Sequence, residues 1–102
     1  MPLICPTCKS RSLKVVNSLE LGGNHSFDEV AFQVIECNSC GLKGVAIYKE
    51  NRWGANDIVN HYGYIVSEAM FSKANNDINN KKIQNYSEYF GSSSRFNIVF
   101  RI

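Results

Sequence analysis

Two Cys-x-x-Cys pairs, Cys5-Pro6-Thr7-Cys8 and Cys37-Asn38-Ser39-Cys40, constrain this chain more than any other feature. They account for all four of its cysteines. A two-residue gap lets a tight turn aim both sulfurs at one ion, and four thiolates close a tetrahedral coordination sphere. Pro6 stiffens the first turn, and Gly41 offers the left-handed backbone that often follows the second. The expectation is one structural Zn2+ held by Cys5, Cys8, Cys37 and Cys40. Iron in the same four-thiolate geometry stays open on spacing alone. A redox dithiol fits less well, because redox Cys-x-x-Cys motifs open a helix and neither pair does so here.

The stretches around the cysteines read as strands. Residues 13–21 are rich in Val and Leu and end in the turn formers Gly22, Gly23 and Asn24. Residues 29–36 alternate, with Val30, Phe32 and Val34 opposed to Ala31, Gln33 and Ile35; residues 44–50 do the same. Three such strands form an antiparallel meander, and metal would supply much of the folding energy of so small a sheet.

Beyond Trp53 the pattern changes. Gly54 and Gly63 read as breakers, and Asn56 or Asp57 as a cap for a short helical turn over residues 58–62. Val66, Met70, Ala74 and Ile78 recur at helical spacing, and Ile83, Tyr86 and Phe90 resume it before Gly91. The asparagine-rich residues 75–82 leave one helix or two open. Phe96, Ile98, Phe100 and Ile102 then alternate as a half-buried terminal strand. The expected fold is therefore α+β: a three-stranded antiparallel zinc ribbon over residues 1–53, with a helical segment and a C-terminal strand over residues 54–102 packed on it.

Composition narrows the function classes. With 44% hydrophobic and 12% aromatic residues, wholesale disorder is excluded. No apolar run approaches the roughly 20 residues that span a bilayer. Residues 1–6 lack the basic and apolar regions of a signal peptide, so a cytoplasmic location is the expectation. Net charge is only +2 and evenly spread, without the long basic stripe of a dedicated nucleic-acid binder. The best basic patch is Lys9, Arg11, Lys14 and Lys43 around the two knuckles, diluted by Glu20 and Glu36. Tyr48 and Trp53, beside Lys49 and Arg52, either stack on single-stranded bases or anchor the sheet to the rest of the chain. His25 and His61 read as surface or hydrogen-bonded side chains, since the cysteine site is already full.

The order knuckle, strand, turn, strand, knuckle, strand over residues 3–50 resembles the zinc-ribbon superfamily. That resemblance implies a non-enzymatic module that binds nucleic acid or a protein complex in transcription or translation. Within the superfamily, Ser26, Asp28, Glu29, Cys37, Asn38, Cys40 and Gly41 fall in register with the C-terminal ribbon of RNA polymerase transcript-cleavage factors. There the acidic pair sits at a hairpin tip and helps hold a magnesium ion for RNA cleavage. His25, Val30 and Gly44 stand where that branch has an arginine, a proline and an aromatic residue. The other reading of Asp28 and Glu29 is a solvated turn. A third class is a homodimer or structural subunit assembled through the C-terminal strand, whose edge invites pairing.

Overall fold

The computed structural model describes residues 3–22, 29–51, 58–91 and 94–100. It replaces the expected three-stranded N-terminal ribbon with one curled antiparallel sheet that runs through both halves of the chain. Its strands are β1 (Leu3–Ile4), β2 (Leu13–Glu20), β3 (Glu29–Cys37), β4 (Lys43–Asn51), β5 (Ile58–Ile65), β6 (Phe96–Asn97) and β7 (Val99–Phe100), with one helix, α1 (Glu68–Asn79). They lie in the order β6-β5-β4-β3-β2-β1-β7.

The main departure is β5. The expected helical turn over residues 58–62 is extended, and pairs along its whole length with β4, from Asn51↔Ile58 to Gly44↔Ile65. Val59, Tyr62, Tyr64 and Ile65 are β-branched or aromatic residues that suit a pleated surface, and the long ladder outweighs the weak local helix signal. Gly63 is no breaker. A Cβ there would lie 3.0 Å from the Val45 carbonyl oxygen and 3.1 Å from the Phe96 ring. At Gly44, one strand over, it would lie 2.6 Å from the Tyr64 carbonyl oxygen. Both glycines let the backbones close where the sheet bends over Ile35.

The curl brings the two sheet edges within reach of one short segment. Residues 96–97 pair with β5 (Tyr62↔Asn97, Gly63↔Phe96), and residues 99–100 pair with β1 (Leu3↔Phe100, Ile4↔Val99). Between them, buried Ile98 donates its N–H to the His61 carbonyl at 2.8 Å. The terminal segment thus bridges the seam of a half-barrel, and both edges that it meets are paired.

Each face of the sheet has its own core. Inside the curl, Leu3, Cys5, Leu13, Ile35, Cys37, Leu42, Ala46 and Ile98 pack together. On the outer face, Phe32, Val34, Val45 and Ile47 meet Phe71, Ala74 and Ile78 of α1, together with Tyr89. The central strands β3 and β4 are buried on both sides, hence their nearly unbroken apolar runs. A bulge between Val15 and Asn17 lets β2 serve both cores. It shifts the register so that Leu13 points inward, whereas Leu19 and Asn17 face the helix. There the Asn17 amide donates to Asn75 at 2.9 Å and to Asn79 at 2.8 Å.

The helical region resolves into one α-helix and a four-residue 3₁₀ turn, Tyr86–Tyr89. The Ser67 hydroxyl caps α1 by accepting the Met70 N–H at 3.2 Å. The helix begins three residues after Ile65, and Phe71 rather than Met70 is its buried first-turn anchor. It ends at Asn79 with Asn80 as its C-cap, and Lys81 follows in the left-handed region at φ 57°. Among the described residues, no helix is long and apolar enough to cross a membrane.

Candidate metal centre

The cysteines sit where strand ends meet. Cys5 follows β1 directly and Cys37 is the last residue of β3; both are buried in the inner core, whereas Cys8 and Cys40 are exposed. The two knuckles repeat one backbone plan. In the first, the Cys5 N–H donates to the Ser10 carbonyl at 2.9 Å, and the Lys9 N–H to the Cys5 carbonyl at 3.0 Å. In the second, Cys37 donates to Leu42 at 2.9 Å, and Gly41 to Cys37 at 3.0 Å. The residue after each second cysteine is left-handed: Lys9 at φ 63° and Gly41 at φ 79°. Gly41 matches the sequence expectation. Lys9 gives no comparable signal, because only the ligand geometry of its turn demands that conformation. Two further bonds tie the knuckles, Asn38 N–H to the Ser12 carbonyl at 3.2 Å and Ser39 Oγ to Ser12 Oγ at 2.8 Å.

All four sulfurs lie within 4.8 Å of one another. The closest approaches run between knuckles, Cys5 to Cys40 at 3.7 Å and Cys8 to Cys37 at 3.6 Å. A zinc–sulfur bond of about 2.3 Å gives a tetrahedron edge of roughly 3.8 Å. A disulfide would need about 2.05 Å, and all four cysteines are free. Four thiols at this spacing fit a tetrahedral divalent ion.

The thiols differ in their electrostatics. Burial pushes the Cys37 thiol up, but N–H groups of Cys40 and Ser39 and the Ser10 hydroxyl more than offset this, bringing it to about 6. Ser10 also lowers Cys8, chiefly through its hydroxyl, 3.1 Å from the sulfur. Cys40 gains a lowering bond from the Leu42 N–H, yet burial and its three thiol neighbours drive it up to about 12. The thiols thus differ in how readily they ionise, Cys37 and Cys8 more readily than Cys40. Like charges cannot accumulate at this spacing without a cation to share them.

The basic residues do not form one exposed tetrad. Lys9 and Arg11 are exposed at the first knuckle. Lys14 and Lys43 flank Glu36 in register across β2, β3 and β4. Lys43 is half-buried, paired with Glu36 at 3.3 Å and standing 5.5 Å over the Phe71 ring. Asp28 lies outside the described residues, as do His25, Arg52 and Trp53. Glu29 opens β3 directly across from Glu50.

At the other end of the curl, a polar group replaces the apolar core. His61 Nε2 lies 2.8 Å from Gln33 Oε1, the Tyr48 ring meets the imidazole edge-on at 5.5 Å, and the Tyr48 hydroxyl donates to Glu50 at 3.1 Å. Burial holds His61 below the usual histidine value. The hydrogen-bonded reading of His61 thus holds. Its partner Gln33 was not foreseeable, since their juxtaposition requires β5 to be a strand. Compared with protein-family models, with curated proteins and with solved structures, the chain matches none.

Proposed function

We propose that Cys5, Cys8, Cys37 and Cys40 hold one structural Zn2+, and that the chain is a non-enzymatic binding module for nucleic acid or a protein complex. The observation that carries this reading is the four-sulfur cluster, whose cross-knuckle distances suit a zinc tetrahedron. Closed four-thiolate coordination leaves no position for substrate, which favours a structural role over catalysis. The knuckles and the antiparallel β2–β3–β4 ladder keep the zinc-ribbon order inside a larger sheet, which is the basis for placing the chain near that superfamily. Free, paired cysteines suit a reducing cytoplasm.

When bound, zinc supplies charge neutralisation and a crosslink; the chain supplies the geometry. Cys5 and Cys37 would hold it from the buried side, and Cys8 and Cys40 from the exposed side. The partner class is tested by binding to single-stranded and double-stranded RNA and DNA across a salt series. Salt-sensitive binding, weakened by charge-neutralising changes at exposed basic residues, supports the nucleic-acid reading. Salt-independent capture of one protein complex supports the other, and neither result removes the module reading.

A further inference from the structure

Beside the ground covered by α1, strands β4, β5 and β6 frame an open hollow of about 270 Å³. It is lined by Lys49, Asn60, His61, Tyr62, Arg95 and Asn97. Two pairs among these are cross-strand partners, Lys49↔Asn60 and Tyr62↔Asn97, so the sheet backbone fixes their positions. The Arg95 guanidinium carbon stands 4.9 Å from the centre of the Tyr62 ring, and Lys49 Nζ stands 5.9 Å from that same centre. A second ring, Tyr86, also lies 5.9 Å from Lys49 Nζ. The Tyr62 ring thus gathers two cations at one rim.

The lining is chemically one-sided. It offers an ammonium, a guanidinium fork and two carboxamides, and none of the six residues is a carboxylate; the His61 ring points to the other face, toward Gln33. A guanidinium matches two oxygens of one tetrahedral anion, an ammonium adds a point charge, and amide N–H groups satisfy the remaining oxygens. The volume falls below the roughly 300–1,000 Å³ of drug-sized sites, which suits a single small group rather than an extended ligand. This hollow is separate from the knuckles and from the basic residues around them.

We propose that the hollow formed by Lys49, Asn60, Tyr62, Arg95 and Asn97 binds a phosphate group. The inference rests on the reading of the chain as a binding module, and takes the phosphodiester of a single-stranded nucleic acid as the favoured source. Arg95, held over the Tyr62 ring at the rim, suits such a strand, because a guanidinium plane can stack on a neighbouring base.

The test uses the zinc-loaded chain with two probes, a fluorescein-labelled oligouridine and inorganic phosphate. Arg95→Gln and Lys49→Gln are compared with Lys14→Gln, after zinc content and circular dichroism confirm that each variant is folded. The expected result is that phosphate shifts the amide resonances of Asn60 and Asn97 in the unaltered chain but not in Arg95→Gln. Oligouridine affinity should fall about tenfold in either hollow variant, and the salt slope should drop by roughly one. If phosphate alone binds there and oligouridine does not bind, the site stands with free phosphate as its source, and the nucleic-acid reading falls. Should oligouridine binding depend on Lys14 and ignore Arg95 and Lys49, the hollow is overturned while the module reading survives. No response of Asn60 or Asn97 to either probe overturns the inference.

Discussion

Cys8 Sγ lies 3.6 Å from Cys37 Sγ across a sequence separation of 29 residues. Two turns of the same plan face each other there, and β1 and β3 carry them into place. The cluster thus follows from the pairing of β1, β2 and β3: Cys5 and Cys37 belong to the apolar core, and Cys8 and Cys40 lie at the exposed side.

The bend of the sheet depends on Gly44. A methyl group there would meet the Tyr64 carbonyl at 2.6 Å, a contact that side chains cannot move aside. Gly44→Ala should lose about 2 kcal/mol of unfolding free energy in urea, within the range for overpacking a core. Unchanged stability would show that β4 and β5 separate easily at this point.

Asn17 reaches α1 only because of the β2 bulge. Its amide donates to both Asn75 and Asn79, so Asn17→Ala should cost about 1–2 kcal/mol. A double-mutant cycle with Asn79→Ala should show coupling of about 0.5 kcal/mol or more. Strict additivity would mean that the amide cluster does not hold the helix to the strand.

Asp77 sets part of the acid sensitivity. The Tyr89 hydroxyl donates to its carboxylate at 2.6 Å and Lys73 pairs with it at 2.9 Å; with Lys82 nearby, these hold its carboxyl below the ordinary value of 3.8. The unfolded chain then binds the proton more readily, so stability rises with pH through this window. The contribution is complete above pH 3.8 and disappears as pH falls through the lower folded value. Asp77→Asn should flatten this part of the stability–pH curve, as measured by the difference between variant and unaltered chain. A parallel curve would contradict it.

Much of the sheet is legible from residue order. Strands β2, β3 and β4 follow from alternation and turn formers, and the cysteine pairs follow from spacing, because thiolate geometry is short-range chemistry. What escaped detection is long-range. Strand β5 carries Asn60, His61 and Gly63, which locally suggest a break; its register against β4 exists only once the sheet forms. The bulge at Val15–Asn17 is equally silent, since Val-Val-Asn reads the same in a straight strand. The terminal alternation reads as one half-buried strand, but the segment is two short strands, β6 and β7, divided at buried Ile98. That its two halves pair with opposite edges could not be inferred without knowing how far the sheet curls. The Lys49–Arg95 hollow joins residues from β4 and the approach to β6, and was hidden for the same reason.

Cobalt substitution tests the central claim most directly. The chain, refolded under reducing conditions with Co2+, should take up one ion. Its spectrum should show intense sulfur-to-cobalt charge transfer with tetrahedral d–d bands, bleached by one equivalent of Zn2+. Cys37→Ser should weaken or abolish these bands, and the metal-free chain should lose its strand dichroism. A weak octahedral spectrum, or native strand content in the metal-free chain, would contradict a structural four-thiolate centre.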